Sequence, residues 1–77
     1  METTVKIYAD FNNADQEGRI RLNTKGTYQD LERKKVELRE GLELLLDDDE
    51  GITTLGIVSF SQNENIWVAK INWDEIK

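Results

Sequence analysis

The side chains able to do chemistry in this chain are carboxylates, hydroxyls and cationic groups, because it contains no histidine and no cysteine. Histidine is the commonest general base and metal ligand, and cysteine supplies the thiolate nucleophile and the soft metal ligand. A reaction would have to run on Asp, Glu, Ser or Tyr alone, and no nucleophile motif surrounds any of them. The expectation is therefore a protein that binds rather than an enzyme, with no cofactor.

Asp47-Asp48-Asp49-Glu50 places four carboxylates in succession. Hard oxygen ligands of this kind suit calcium weakly. A catalytic carboxyl pair would need an enclosed pocket to split its pKa values, and 77 residues leave little room for one once a core is built. The ordinary reading is a solvated hairpin tip; the functional reading is an acidic docking site. Asn13, Asp15 and Glu17, with Gly18 and Ile20 following, copy the first eight positions of an EF-hand loop. Position twelve, which should be a bidentate Glu, is Thr24, so a polar turn is expected and no metal site.

Arg19, Arg21, Lys25, Arg33, Lys34 and Lys35, with Arg39, form the one basic zone and are the candidates for phosphate contacts. Asp30, Glu32 and Glu37 are interleaved with them, which fits charge pairing on a solvent-facing helix. Tyr8 is flanked by Ile7 and Ala9, so alternation turns it towards solvent as an aromatic anchor for a partner.

Residues 1–39 carry eight Lys/Arg and seven Asp/Glu, a net of +1; residues 40–77 carry two and nine, a net of −7; together they give the −6 of the whole chain. The ordinary reading of such one-sided charge is a solvated surface and the functional reading is an interaction surface; the net charge of −6 disfavours nucleic acid as the partner. No apolar run approaches the roughly 18 residues of a membrane span, and no signal segment opens the chain, so a cytoplasmic location is expected.

The elements that must carry these residues follow from periodicity. Val5, Ile7, Ala9 and Phe11 alternate with polar neighbours and predict a strand; Arg19–Leu22 predicts a second. Thr27 reads as an N-cap for a short helix over 28–35. The stretch 36–47 is ambiguous. Leu31, Leu38, Leu42 and Leu45 would line one long helix over 28–47. Gly41 in its interior and three Asp residues at its negative end argue against that. A turn at 39–41 and a strand over 42–48 is the preferred reading. A turn at 48–51, a strand over 53–61 with Gly56 as a bulge or bend, a tight loop at 62–65 and a strand over 66–73 complete the set. Trp67, Ala69, Ile71 and Trp73 are assigned to the inner face, and Ile76 is expected beneath the barrel in a final helical turn. The prediction is a single domain, mainly β with one short helix: a five-stranded, partly open small barrel.

Glu40-Gly-Leu-Glu-Leu-Leu-Leu-Asp-Asp-Asp, Leu55-Gly-Ile-Val and Ile66-Trp-Val-Ala-Lys-Ile-Asn-Trp resemble the small SH3-like barrel domains of uncharacterised bacterial proteins. The resemblance covers about the last 40 residues and implies a fold rather than a function. Gly18-Arg-Ile-Arg-Leu22, the helix and Leu38-Arg-Glu-Gly-Leu-Glu-Leu44 resemble AbrB-type antitoxins. The chain departs from that pattern at Asn23, where a Pro is expected, and in the longer segment before Gly41.

The leading expectation is a small acidic protein-binding module (adaptor, subunit or inhibitor). It would act through Asp47, Asp48, Asp49, Glu50, Tyr8 and a sheet edge. The alternative is a nucleic-acid-binding barrel or AbrB-like regulator using the Arg19–Arg39 zone.

Overall fold

The computed structural model describes residues 4–75, so Ile76 and its expected packing lie outside the described residues. Five strands form one mixed sheet: β1 (Lys6–Tyr8), β2 (Ile20–Arg21), β3 (Glu43–Asp47), β4 (Thr53–Ser61) and β5 (Ile66–Ile71). Their order across the sheet is β1-β3-β4-β5-β2, and the sheet curls into a half-barrel with one short helix, α1 (Lys25–Arg33). The mainly β architecture is thus as expected.

β3, β4 and β5 make an antiparallel meander in which Leu45 pairs with Leu55 and Val58 with Ala69. β1 joins the far side of β3 in parallel, Ile7 opposite Leu46, so the chain from Ala9 to Leu42 is a crossover. That crossover also spans the open side of the half-barrel. Asn13 O accepts the Arg21 N–H at 2.9 Å and Ala14 bridges Ile20, so residues beyond β1 end against β2 at the opposite edge.

Alternation decides most of what is buried; the exception is Val68, which has outward parity in β5 and is wholly buried all the same. Ile7, Ala9, Ile20, Leu22, Leu44, Leu46, Val58 and Ala69 point inward and meet Leu31 of α1 in one core. Each fully buried Val, Leu or Ile among them contributes roughly 1.5–3 kcal/mol, which is how a chain without disulfides holds together. The ambiguous stretch resolves as a turn and a strand. Gly41 takes φ +83°, which a helix forbids, and Leu44 and Leu46 face the core while Glu43 is exposed.

Four local expectations are corrected. The helix begins at Lys25, capped by Thr24 rather than Thr27; Thr24 Oγ1 accepts the Thr27 N–H, and Thr27 is wholly buried. Gly56 forms no bulge: its pairing is continuous from Leu44 on β3 to Ile71 on β5. Its missing side chain makes room instead, since a Cβ there would lie 2.8 Å from Leu46 Cδ1 and 3.2 Å from Ala69 Cβ. Trp73 does not join the core. β5 ends at Ile71, and Trp73 begins a 3-10 turn (Trp73–Glu75), where it is 41% exposed. Its indole N–H donates to Gly18 O at 2.7 Å, a bond available only outside the core. Tyr8 is half-buried rather than turned to solvent.

Candidate functional site

Tyr8 and the acidic run, far apart in sequence, are brought side by side by the parallel pairing of β1 with β3. Tyr8 is the register partner of Asp47, the first residue of the run. The β3–β4 turn that follows holds Asp48, Asp49 and Glu50 near the phenol.

The turn is built by its own carboxylates. Asp47 Oδ1 accepts the Asp49 N–H at 2.6 Å and Oδ2 accepts the Thr53 hydroxyl at 3.0 Å. Asp48 Oδ1 accepts the N–H groups of Glu50 at 2.8 Å and Ile52 at 3.0 Å. Short acidic side chains that satisfy the backbone two residues on are what lets such a turn close. Asp49 takes φ +63° and Gly51 φ +106°, left-handed positions that Asp tolerates and Gly favours. Lys6 Nζ lies 3.5 Å from Asp47 Oδ2. The Asp49 N–H and then the Thr53 hydroxyl hold the Asp47 carboxyl below its ordinary pKa. Asp47 and Asp48 are therefore structural, while Asp49 and Glu50 are exposed and make no side-chain bond among the described residues.

The Tyr8 ring packs on Gly26 in the first turn of α1, where a Cβ would stand 2.7 Å from Tyr8 Cδ2. Its phenol pKa is raised, first by loss of water contact and then by the negative field of Asp10, Asp49, Glu50 and Asp48. The corner is thus an aromatic ring set in a carboxylate field. Among the described residues no group of carboxylates is arranged to hold a metal ion.

The other candidates are dispersed. Asp15 accepts the N–H groups of Glu17 and Arg19 and the Arg19 guanidinium, each at 2.9 Å, which makes the EF-hand-like segment a turn closed on its own carboxylate. In the basic zone Arg21 makes a two-pronged pair with Glu64, both bonds at 2.8 Å. Arg33 pairs with Asp30, and Lys34 donates to the Lys6 carbonyl. Lys25, the first residue of α1, and Lys35, two positions past its last, remain exposed. Arg19, Arg21 and Arg33 are thus each taken up by a separate carboxylate, while Lys25, Lys34 and Lys35 have no ion-pair partner among the described residues.

Two features of the surface had weaker signals in the sequence. The outward backbone groups of β1 are taken up by α1: Asp30 accepts the Tyr8 N–H, and the Thr27 hydroxyl donates to Tyr8 O, both at 2.8 Å. Leu55 and Ile57 lie on the outer face of β4 with 42% and 37% of their surface exposed; their parity within the β4 run, opposite to Val58, is the signal that could have found them. Comparison with protein-family models, curated proteins and solved structures finds no match for the chain.

Proposed function

We propose that this chain is a small cytoplasmic protein-binding module on an SH3-like frame. It takes a basic segment of a partner at the corner of Tyr8, Asp49 and Glu50. The observation that supports the reading is the register of Tyr8 with Asp47, which sets an aromatic face beside exposed carboxylates. A Lys or Arg side chain gains there from both, through cation–π contact and charge pairing. The net charge of −6 steers a basic partner towards the chain and a nucleic acid away from it. Because α1 occupies the outward groups of β1, binding relies on side chains and not on strand addition at that edge.

The test is titration of isotope-labelled protein with an arginine-rich peptide, followed by amide resonances. Saturable shifts confined to Tyr8, Asp10 and residues 47–51 are expected. A variant carrying Asp49→Lys and Glu50→Lys should bind about tenfold more weakly or worse. Shifts spread evenly over all acidic residues, or binding unchanged in the variant, would refute the reading. A saturable shift with a DNA duplex that disappears on replacing Lys25 and Lys35 would favour the nucleic-acid alternative.

A further inference from the structure

Beyond Val68, which is wholly buried at the Ser59 end, the outer face of the sheet has an apolar centre and a charged rim laid out in two rows. Lys6, Leu45 and Leu55 are successive register partners across β1, β3 and β4. One step along, Glu43, Ile57 and Lys70 are successive partners across β3, β4 and β5. Glu43 and Lys70 flank Ile57 from opposite sides, two strand spacings (roughly 9.5 Å) apart, too far to pair with each other. Neither has an ion-pair partner among the described residues. Trp73 extends the apolar surface at the margin, where it borders Ser59 and Lys70.

We infer that this face binds a second copy of the chain about a two-fold axis running along β4. Such an axis keeps each row level and reverses its lateral order. Ile57 then meets Ile57 and Leu55 meets Leu55. Glu43 of each copy faces Lys70 of the other, so the two charges left unpaired in one chain are both paired in two. A two-fold contact must be self-complementary, and this row is complementary to its own reversal. The outer face of a curled sheet is convex, so contact is closest along β4 and opens to either side. Long Glu and Lys side chains are suited to span the widening gap. An apolar stripe with a charged rim is the usual anatomy of an interface, and its narrowness makes the dimer weak and concentration-dependent.

Sedimentation equilibrium of the full chain tests this. The mass should rise from one chain to two between about 10 µM and 1 mM, the range of a weak complex. Ile57→Lys should hold the chain at single mass with an unchanged circular-dichroism spectrum. Glu43→Lys or Lys70→Glu alone places like charges opposite each other at two symmetric points and should weaken association about tenfold. The double variant Glu43→Lys/Lys70→Glu should recover to within about threefold of the original, since the pairs are re-formed with reversed sign. A single-chain mass at every concentration, or a double variant no better than the single ones, overturns the inference.

Discussion

Asp30 Oδ2 accepts the Tyr8 backbone N–H at 2.8 Å, a side chain of α1 completing the hydrogen bonding of an edge strand. The same strand receives the Thr27 hydroxyl at Tyr8 O and the Lys34 ammonium at Lys6 O. An edge strand with unpaired backbone groups invites another chain to add to it, and covering the edge is one of the ways proteins prevent this. Here the cover comes from Thr27 and Asp30 of α1 and from its C-cap residue Lys34.

Asp30→Ala should therefore act twice. It removes a charged acceptor from a part-buried N–H, which costs about 2 kcal/mol of stability. It also frees a backbone donor at the edge of the sheet. Urea unfolding should show the loss, and light scattering on storage should show greater aggregation than in the parent. Asp30→Asn keeps an acceptor oxygen and should recover part of both. An alanine variant as stable as the parent would mean that water satisfies Tyr8 equally well.

Gly26 gives a second prediction, with a sign opposite to the usual rule. Alanine normally stabilises a helix position relative to glycine by about 1 kcal/mol. At Gly26 the added Cβ would lie 2.7 Å from Tyr8 Cδ2 and 3.3 Å from Tyr8 Cγ, close to the root of the ring rather than at a flexible tip. Gly26→Ala should thus destabilise the fold and displace the ring. The chemical shifts of the Tyr8 ring protons report the displacement, and a more stable variant with unmoved resonances would contradict it.

The inward faces of β1, β3 and β4 were legible in the sequence because alternation is a local signal: Ile7 and Ala9, Leu44 and Leu46, and Val58 are all wholly or almost wholly buried, whereas in β5 Val68 is wholly buried against its parity. Gly41 ended the long-helix alternative for a reason also visible in the sequence. The rest depends on partners distant in the chain. Thr27 has cap chemistry, but its hydroxyl is used by Tyr8 O, 19 residues away, and the cap falls to Thr24. Trp73 continues the parity of Trp67, yet β5 stops before it and Gly18 O claims its indole. For the site, Tyr8 and residues 47–50 were nominated separately. Their adjacency comes from the parallel β1–β3 pairing, which no local pattern announces.

Thr54 supplies a third prediction. It faces inward from β4, 5% exposed, and its hydroxyl has no hydrogen-bond partner among the described residues. A buried hydroxyl left unpaired costs roughly 1–3 kcal/mol in mutational data. Valine has almost the same shape and no polar atom. Thr54→Val should raise stability by about 1 kcal/mol, seen as a higher urea midpoint at unchanged slope. A lower midpoint would show that the hydroxyl is satisfied in solution.

The last prediction concerns acid. Burial pushes the Asp15 carboxyl up, but the N–H groups of Arg19 and Glu17, together with the Arg19 guanidinium, outweigh it and hold the pKa below the ordinary value. Glu64 is lowered by its hydrogen bonds from Arg21, and Asp47 by the Asp49 N–H. A carboxyl whose folded pKa is depressed binds its proton more readily in the unfolded chain. It therefore contributes stability that is complete above the unfolded pKa and is lost as pH falls through the folded one. Stability should be level near neutrality and fall steeply below about pH 4, where unfolded carboxylates begin to take up protons. Asp15 should dominate, because its side chain is only 5% exposed and water screens its partners least. Asp15→Asn should lower the melting temperature at pH 7 and flatten its dependence on pH on the acid side. Parallel curves for the variant and the parent between pH 2 and pH 5 would show that another group controls acid unfolding.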